Sequence, residues 1–275
     1  MTDQASKCAV FADLHRETET WLIPNPWDLG SARVLQGLGY KALATTSSGF
    51  AYTLGRADGE VSLEEKLQHC LQLCAGTSIP INADFENGFA DDLDSLCDNI
   101  KRLLDTGVAG FSIEDYSRDQ HLVYAKQQAV ERIEAAAQTI RASGIPVLLT
   151  ARAENLIRGV DDRDETLERL QAYSAAGADV LYAPGLVEME HVEEFVANTD
   201  KPLNVLAPFI RGGSMEKFTR AGVCRISVGG ALAWASVNPL LMAGKEMLEQ
   251  GSFSWLKNMA RGSDIQSLLR QAGSD

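Results

Sequence analysis

The sequence predicts an α/β fold, a (β/α)8 barrel of the TIM type, and three observations lead to this class. Eight short apolar segments recur along the chain, and a segment with helical spacing follows each of them. After the first segment stands Asn25-Pro26-Trp27-Asp28, which lacks the G-x-G-x-x-G turn that would favour an open doubly wound sheet. The 275 residues are 45% hydrophobic, which suffices for one large core.

We expect one domain over residues 1–275, with the barrel core in 21–230 and a C-terminal helical extension in 231–275. Residues 1–20 are predicted to form an outer helix that carries Val10, Phe11 and Leu14. The eight strands are predicted at 22–24, 41–45, 79–83, 109–113, 146–150, 179–182, 203–206 and 224–228.

Helices with 3.6-residue spacing are predicted between these strands. A capping box from Ser62 to Glu65 marks the start of one of them, and Gly76 marks its end. Segments 46–61 and 116–126 are predicted as long loops, and 251–275 as a short helix with a looser tail. The helices are predicted near 30–38, 62–75, 93–104, 130–140, 164–176, 190–198, 214–221 and 231–248.

Charge and composition exclude several functional classes. The net charge of −13 argues against nucleic acid or an anionic membrane as the partner. No segment has the length and apolarity of a membrane span, and residues 1–16 do not resemble a secretory signal. The five cysteines are an odd number in a long chain, so we expect free thiols and a reducing cytoplasm.

Polar residues follow the predicted strands at their C-terminal ends, which is the face where such barrels carry their chemistry. Asp84 and Glu86 follow the third strand, and side chains two residues apart on a strand share one face. Glu114 and Asp115 are neighbours on the fourth strand, so only one of them can face the barrel mouth. We interpret Asp115 as the structural partner. The other polar residues at these ends are Asp28, Ser47, Ser48, Gly49, Glu114, Arg152, Glu154, Tyr182, Asn204, Ser227, Gly229 and Gly230.

This set of side chains favours a hard divalent cation. Carboxylate oxygens without a nearby histidine are ligands typical of Mg2+ or Mn2+. Arg152 adds one positive charge to an otherwise acidic site. Carboxylates, a cation and an arginine together could bind a 2-oxo carboxylate and stabilise an enolate at its oxo group.

Four motifs in this order resemble the isocitrate lyase/phosphoenolpyruvate mutase superfamily, in its phosphonomutase-like and oxaloacetate-decarboxylase-like branch. They are T-S-S-G-F after the second strand, D-F-E-N-G-F after the third, S-I-E-D after the fourth and A-R-x-E after the fifth. The resemblance runs from about Trp21 to Leu248. It implies a Mg2+-dependent enzyme that makes or breaks C–C or P–C bonds next to a 2-oxo acid.

The resemblance also implies roles for individual residues. Asp84 would contact the metal directly, Glu86 and Glu114 would act through metal-bound water, and Asp58 would lie near that water. Arg152 would contact the oxo or enolate oxygen, and together with Ser48 and Glu114 it makes up the predicted catalytic set. The substrate carboxylate would be held by Ser48, Gly49 and Phe50, while Asn204 and Tyr182 would line or support the site.

The loop after the fourth strand departs from the resembling enzymes. The isocitrate-type lyases carry K-K-C-G-H there with a cysteine acid, and the phosphonate enzymes carry a K-x-N-S-type segment. Here the loop contains Tyr116-Ser117-Arg118-Asp119-Gln120-His121, in which His121 is the one residue suited to proton transfer. Decarboxylation needs least from such a loop, because the enolate can be protonated by water.

We therefore expect a carbon–carbon lyase that acts on a 2-oxo (di)carboxylic acid, with oxaloacetate decarboxylation or cleavage of a related diacid favoured. One alternative is a P–C bond enzyme of the phosphonopyruvate or carboxyphosphonoenolpyruvate type. A second is a 2-oxo acid binding protein without turnover. A third interpretation takes Gly229-Gly230 as a phosphate site, which the resemblance disfavours.

The last long helix carries apolar residues around much of its surface, among them Leu232, Trp234, Leu240 and Met247. Such a helix on the outer ring of a barrel predicts a covered face. The resemblance implies that the cover is another copy of this chain, in a homotetramer built as a dimer of helix-swapped dimers.

Overall fold

The computed structural model describes residues 3–17 and 19–272. Eight parallel strands form one sheet: β1 (Trp21–Ile23), β2 (Leu43–Ala44), β3 (Ile81–Asp84), β4 (Gly110–Glu114), β7 (Leu148–Arg152), β8 (Val180–Tyr182), β9 (Leu203–Leu206) and β10 (Arg225–Ser227). An antiparallel hairpin, β5 (Tyr116–Ser117) with β6 (Leu122–Val123), follows β4. The order of the strands in the sheet is β1, β10, β9, β8, β7, β4, β3, β2.

The two edges of the sheet meet and turn it into a barrel. The Ala44 N–H donates to the Pro24 carbonyl at 3.1 Å, which joins the end of β2 to the end of β1. The predicted (β/α)8 fold class is therefore confirmed.

Helices alternate with the strands and cover the barrel. Their inner faces bury apolar residues such as Leu73, Leu103 and Phe195 against the strands. The α-helices are α1 (Asp3–Arg16), α2 (Leu29–Gly37), α3 (Ser47–Thr53), α4 (Leu63–Gly76), α5 (Leu93–Leu104), α6 (Lys126–Ser143), α7 (Arg163–Ala176), α8 (Met189–Ala197), α9 (Met215–Arg220), α10 (Ala231–Gln250) and α11 (Gly262–Gln271), with 3-10 turns at Ala207–Phe209 and Ser254–Asn258.

The predicted N-terminal helix is present as α1, and it closes the N-terminal end of the barrel rather than joining the ring of helices around it. Phe11 is fully buried, and its ring lies where a side chain on Gly110, the first residue of β4, would have to go. The Lys7 ammonium donates to the carbonyl oxygens of Cys74 and Thr77, ahead of β3. An amphipathic helix satisfies both demands, because its apolar side covers the core while its polar side chains reach backbone carbonyls.

Three segments contain more secondary structure than predicted. The 46–61 loop begins with α3, whose Ser-, Gly- and Thr-containing sequence is a poor helix former but is capped by the Thr46 side chain. The 116–126 loop begins with the β5–β6 hairpin. The predicted loose tail contains α11, which lies on α2, where the Gln36 side chain donates to the Ala272 carbonyl at 3.0 Å.

Two further observations concern the helices and the cysteines. Across residues 3–17 and 19–272, no helix is long and apolar enough to cross a membrane. All five cysteines are free thiols, as predicted.

Candidate active site at the barrel mouth

The register of the strands brings charged residues together at their C-terminal ends. Glu114 is paired with Arg152 across β4 and β7, and Arg152 is paired with Tyr182 across β7 and β8. Asp84 ends the neighbouring strand β3. Strand β7 extends to Arg152, two residues beyond its predicted end, so this guanidinium belongs to the rigid barrel wall.

Glu86 reaches the same cluster by a different route from the predicted one. Strand β3 ends at Asp84, and Glu86 takes a left-handed conformation with φ of 51°. This conformation costs a non-glycine residue about 1–2 kcal/mol. The turn is held by the Glu114 N–H, which donates to the Glu86 carbonyl at 2.8 Å. The two acids are close because the chain turns, and the strand-alternation argument was wrong for Glu86.

Arg152 lies at the centre of an ionic network. Its Nη1 is 3.5 Å from Asp84 Oδ1 and 3.5 Å from Glu114 Oε2, and its Nε donates to Glu154. Its guanidinium carbon also lies 5.3 Å from the centre of the Tyr182 ring. These contacts fix the direction of the one predicted catalytic cation.

Arg118 joins the cluster from the hairpin, and sequence reasoning missed it. Its Nε is 3.1 Å from Glu86 Oε2 and 3.8 Å from Glu114 Oε1, and its Nη2 is 3.5 Å from Asp58 Oδ1. An arginine four residues after an acid that ends a barrel strand was the available signal. It was overlooked because the segment was predicted as a plain polar loop.

Arg158 is a second cation that the sequence did not reveal. Its Nη2 lies 2.9 Å from Glu154 Oε2 and 3.8 Å from Glu114 Oε1. Its guanidinium carbon is 3.7 Å from the centre of the Tyr116 ring, which adds a cation–π contact. Arg158 thus neutralises charge from outside the cavity.

Burial and neighbouring charges together shift the pKa values of the three acids in different directions. Burial raises the pKa of Glu86 to about 7, although the charge of Arg118 opposes the shift. Burial, reinforced by the charge of Glu154, raises the pKa of Glu114 well above its usual value. Burial would also raise the pKa of Asp84, but the positive charges of Arg152 and Lys66 outweigh it, and the net pKa is lowered.

A cavity of about 490 Å³ opens at the barrel mouth beside this cluster. Arg152 is the one basic residue on its wall among the residues that the structure describes, and Trp234 and Phe209 belong to an apolar side. The lining residues are Thr46, Ser47, Ser48, Asp58, Asp84, Arg152, Ile157, Tyr182, Leu206, Pro208, Phe209, Val228, Gly229, Gly230, Ala231 and Trp234.

The predicted carboxylate-binding segment lies in the first turn of α3. Ser48 lines the cavity, and its Oγ is 3.3 Å from Thr46 Oγ1. Gly49 and Phe50 are placed differently from the prediction, because their N–H groups already donate to Thr46 within the helix cap. The Phe50 ring faces away from the cavity wall and stacks on His69 at 3.8 Å between ring centres.

Asn204 lies deeper than the mouth, inside the barrel. Its amide nitrogen donates to Ser227 Oγ at 3.0 Å, and its Oδ1 accepts from Arg225 Nε at 2.7 Å. Tyr182 borders both this interior and the cavity, and burial raises its pKa to about 12. The two residues therefore differ, since Tyr182 reaches the cavity and Asn204 supports it from below.

Asp115 is a structural residue, as predicted. Its Oδ2 accepts from Arg169 at 3.0 Å and from the Tyr173 hydroxyl at 2.6 Å, while its Oδ1 accepts from the Glu154 N–H at 2.7 Å. These bonds face helix α7 rather than the cavity, and they hold Glu154 in place behind Arg152.

The predicted metal ligands are suited to a divalent cation in chemical kind. Asp84, Glu86 and Glu114 offer carboxylate oxygens, and the buried Glu114 Oε1 accepts no hydrogen bond within the described ranges. Nevertheless, no three His, Cys, Asp or Glu side chains in those ranges surround a common point as metal ligands would. Arg118 contacts Glu86, Glu114 and Asp58, so a guanidinium lies among the carboxylates in this structure.

Comparison with known proteins places this geometry in a family. Residues 11–248 match the family described as phosphoenolpyruvate phosphomutase. A crystal structure from Burkholderia cenocepacia J2315, described as a candidate lyase/mutase, is 40% identical, covers 96% of each chain and superposes with a TM-score of 0.92.

Two curated relatives are, by name, a lyase and a decarboxylase. The 2-methylisocitrate lyase of Escherichia coli strain K12 is 28% identical over 68% of this chain and 64% of its own. Oxaloacetate decarboxylase 2 of Pseudomonas fluorescens strain Pf0-1 is 26% identical over 82% of this chain and 79% of its own. The prediction of a lyase-class enzyme is thereby confirmed. The chain belongs to the phosphoenolpyruvate phosphomutase family, within the isocitrate lyase/phosphoenolpyruvate mutase superfamily that its motifs predicted.

Proposed function

We propose that this enzyme cleaves a carbon–carbon bond next to the oxo group of a 2-oxo dicarboxylic acid, and that its favoured reaction is the decarboxylation of oxaloacetate. The observation that carries the proposal is the shared cavity of Arg152, Asp84 and Ser48, in which one guanidinium faces an otherwise acidic and hydroxyl-bearing wall. A 2-oxo acid presents the matching groups, an anionic carboxylate beside a polarisable carbonyl.

In this proposal the chain's own residues bind and orient the substrate. The Ser48 hydroxyl donates to the substrate carboxylate, and Arg152 donates to the oxo oxygen, where negative charge grows as the bond breaks. Asp84 and Glu114 hold Arg152 in that direction. Tyr182 keeps its phenol neutral, because burial raises its pKa to about 12.

The apolar side of the cavity supports decarboxylation in particular. Leu206, Pro208, Phe209 and Trp234 line it, and it presents no second cation among the described residues. A carboxylate placed against such a surface loses hydration, whereas the neutral CO2 that it releases does not need hydration. The enolate that remains can take its proton from water.

A divalent cation fits this proposal in chemical kind. Asp84, Glu86 and Glu114 would hold it, with Asp58 nearby, and Mg2+ is the expected metal with Mn2+ as the alternative. When bound, the cation would polarise the 2-oxo group and stabilise negative charge on its oxygen.

A second candidate is cleavage of a P–C bond, which the phosphomutase family match favours. The cavity wall has a single basic residue among the described residues, which argues against P–C bond cleavage, because a phosphonate dianion is usually bound by several cationic groups. A 2-oxo acid binding protein without turnover is the third candidate, and it would bind oxalate or 2-oxoglutarate without forming product.

The experiment is a panel of 2-oxo diacids and phosphonopyruvate in Mg2+, with pyruvate, CO2 and phosphate measured separately. Pyruvate with CO2 from oxaloacetate above the metal-catalysed background is the expected result. Phosphate release from phosphonopyruvate would favour the second candidate, and binding without any product would favour the third. Arg163→Gln is the matched control for variants of Arg152, because Arg163 is an exposed arginine paired with Glu194.

We also infer a homotetramer built from helix-swapped dimers in a reducing cytoplasm. Helix α10 and the turn after it leave large apolar side chains exposed, and a second copy of this chain would cover them. The exposed residues are Trp234, Leu240, Leu241, Met242, Met247, Leu248, Phe253, Leu256 and Met259.

A further inference from the structure

Arg118 occupies the place where the proposed metal would meet its carboxylates. Its side chain is only 18% exposed, although it comes from a surface hairpin. It contacts Glu86 at 3.1 Å, Asp58 at 3.5 Å and Glu114 at 3.8 Å. These are three of the four residues to which the family resemblance assigns a role around the metal.

The loop opposite the hairpin is shaped to admit this guanidinium. A Cβ atom on Gly59 would lie 2.3 Å from Arg118 Nη1, so a larger residue there would require the guanidinium to shift. Gly59 also has φ of 92°, which other residues rarely adopt. The Arg118 position is therefore accommodated from two sides, by the hairpin that carries it and by the loop that covers it.

The contact is held by charge rather than by oriented hydrogen bonds. Neither Arg118 Nε nor Glu114 Oε1 makes a hydrogen bond within residues 3–17 and 19–272, although both atoms are buried. Buried polar atoms in this condition are poorly compensated. A ligand that supplied better-directed bonds to the same carboxylates could displace the arginine.

The net charge of the carboxylate cluster also favours the replacement of Arg118 by a divalent cation. With all five acids ionised and Arg118 in place, the cluster has five negative and four positive charges, which leaves a net charge of −1. A divalent cation instead of Arg118 would bring the net charge of the fully ionised cluster to zero. The members are Asp58, Asp84, Glu86, Glu114 and Glu154 with Lys66, Arg118, Arg152 and Arg158.

We propose that Arg118 is an internal competitor of the divalent cation, which pairs with Glu86 and Glu114 when the metal is absent and leaves them when it binds. A guanidinium and a metal ion on the same carboxylates repel each other strongly in a low-dielectric site. The affinity for the metal is therefore set by how easily the hairpin releases Arg118. The inference rests on the metal of the proposed function.

The test is Mn2+ binding, followed by the loss of the free-ion electron paramagnetic resonance signal. Arg118→Gln removes the competing charge, and we expect it to bind Mn2+ on the order of tenfold more tightly than the unmodified chain. Arg102→Gln is the matched control, because Arg102 is an exposed arginine paired with Glu64. It makes the same change in net charge and should leave the affinity within about twofold.

A second measurement uses the unmodified chain and does not depend on a variant's folding. Hydrogen–deuterium exchange of residues 116–123 should speed up when Mn2+ is added, because release of Arg118 frees the hairpin. Equal or weaker Mn2+ binding by Arg118→Gln, or a hairpin slowed by Mn2+, would overturn the competition while leaving the metal site intact. If neither chain binds Mn2+ at millimolar concentration, the metal of the proposed function fails as well.

Discussion

Replacing Glu86 with glutamine should stabilise the metal-free enzyme above neutral pH and should have little effect in acid. Glu86 is 3% exposed, and burial raises the pKa of its carboxyl to about 7 from a usual 4.5. Glutamine has nearly the same shape and stays neutral at every pH. The variant therefore removes the cost of a buried negative charge.

The sign follows from where the proton is held. Because the folded pKa is raised, the native carboxyl keeps its proton at a pH where the unfolded chain has lost it. This contribution to stability is complete below pH 4.5 and is lost as the pH rises through about 7. A difference of about 2.5 pKa units corresponds to about 3 kcal/mol. The advantage of Glu86→Gln should therefore grow by about 3 kcal/mol between pH 4.5 and pH 8.

The assay is urea unfolding of both chains at fixed protein concentration, with EDTA present and the pH stepped from 5 to 8. The quantity of interest is the change with pH of the difference in unfolding free energy, because lost contacts with Arg118 add a constant offset. Glu190→Gln, on the exposed surface of α8, should show a flat difference. A flat profile for Glu86→Gln, or one that falls with pH, would refute the assigned pKa and its cause.

Four further predictions concern the site and the surface. Asp84→Ala should abolish Mg2+-dependent turnover while circular dichroism remains native, and full activity would contradict a role at the metal. Arg152→Lys should keep most of the stability but lose about 100-fold in kcat. Arg152→Ala should also lose about 3–5 kcal/mol of stability in urea unfolding, because it leaves buried carboxylates unpaired. Asp115→Asn should cost about 3 kcal/mol in the same assay through Arg169 and Tyr173, and a neutral result would contradict its structural role. Leu241→Glu on α10 should shift the size-exclusion profile to smaller species, and a monomeric unmodified chain would exclude the tetramer.

The barrel could be predicted from the sequence because each strand is a short apolar run with a helix behind it. The strand ends then placed Asp84, Glu114 and Arg152 correctly at the mouth, since parallel strands share one carboxyl edge. Strand β7 ends two residues later than predicted, but this difference does not move Arg152 away from the predicted mouth of the barrel.

The segments between strands and helices could not be predicted in the same way. Glu86 depends on a left-handed turn, for which its sequence gives no strong signal. Arg118 reaches the carboxylates because a hairpin folds it inwards and a glycine distant in sequence leaves it space. Helix α3 forms from weak helix formers because Thr46 caps it, and Gly49 packs tightly below Thr46 and Trp27. For Glu86 and Arg118 contacts distant in sequence outweighed local preference, whereas α3 depends on a local cap together with the distant contact to Trp27.

The β5–β6 hairpin has a consequence for how this fold can change its chemistry. Its two strands fix both ends of the segment, while Asp119, Gln120 and His121 lie exposed at its tip. Exposed tips of this kind tolerate insertions, because the anchored ends absorb the added length. New residues could therefore be added above the cavity without disturbing Arg152 or the barrel wall. The tip of the hairpin can thus be changed while the barrel mouth stays in place. It is therefore the natural place to introduce a proton donor by design.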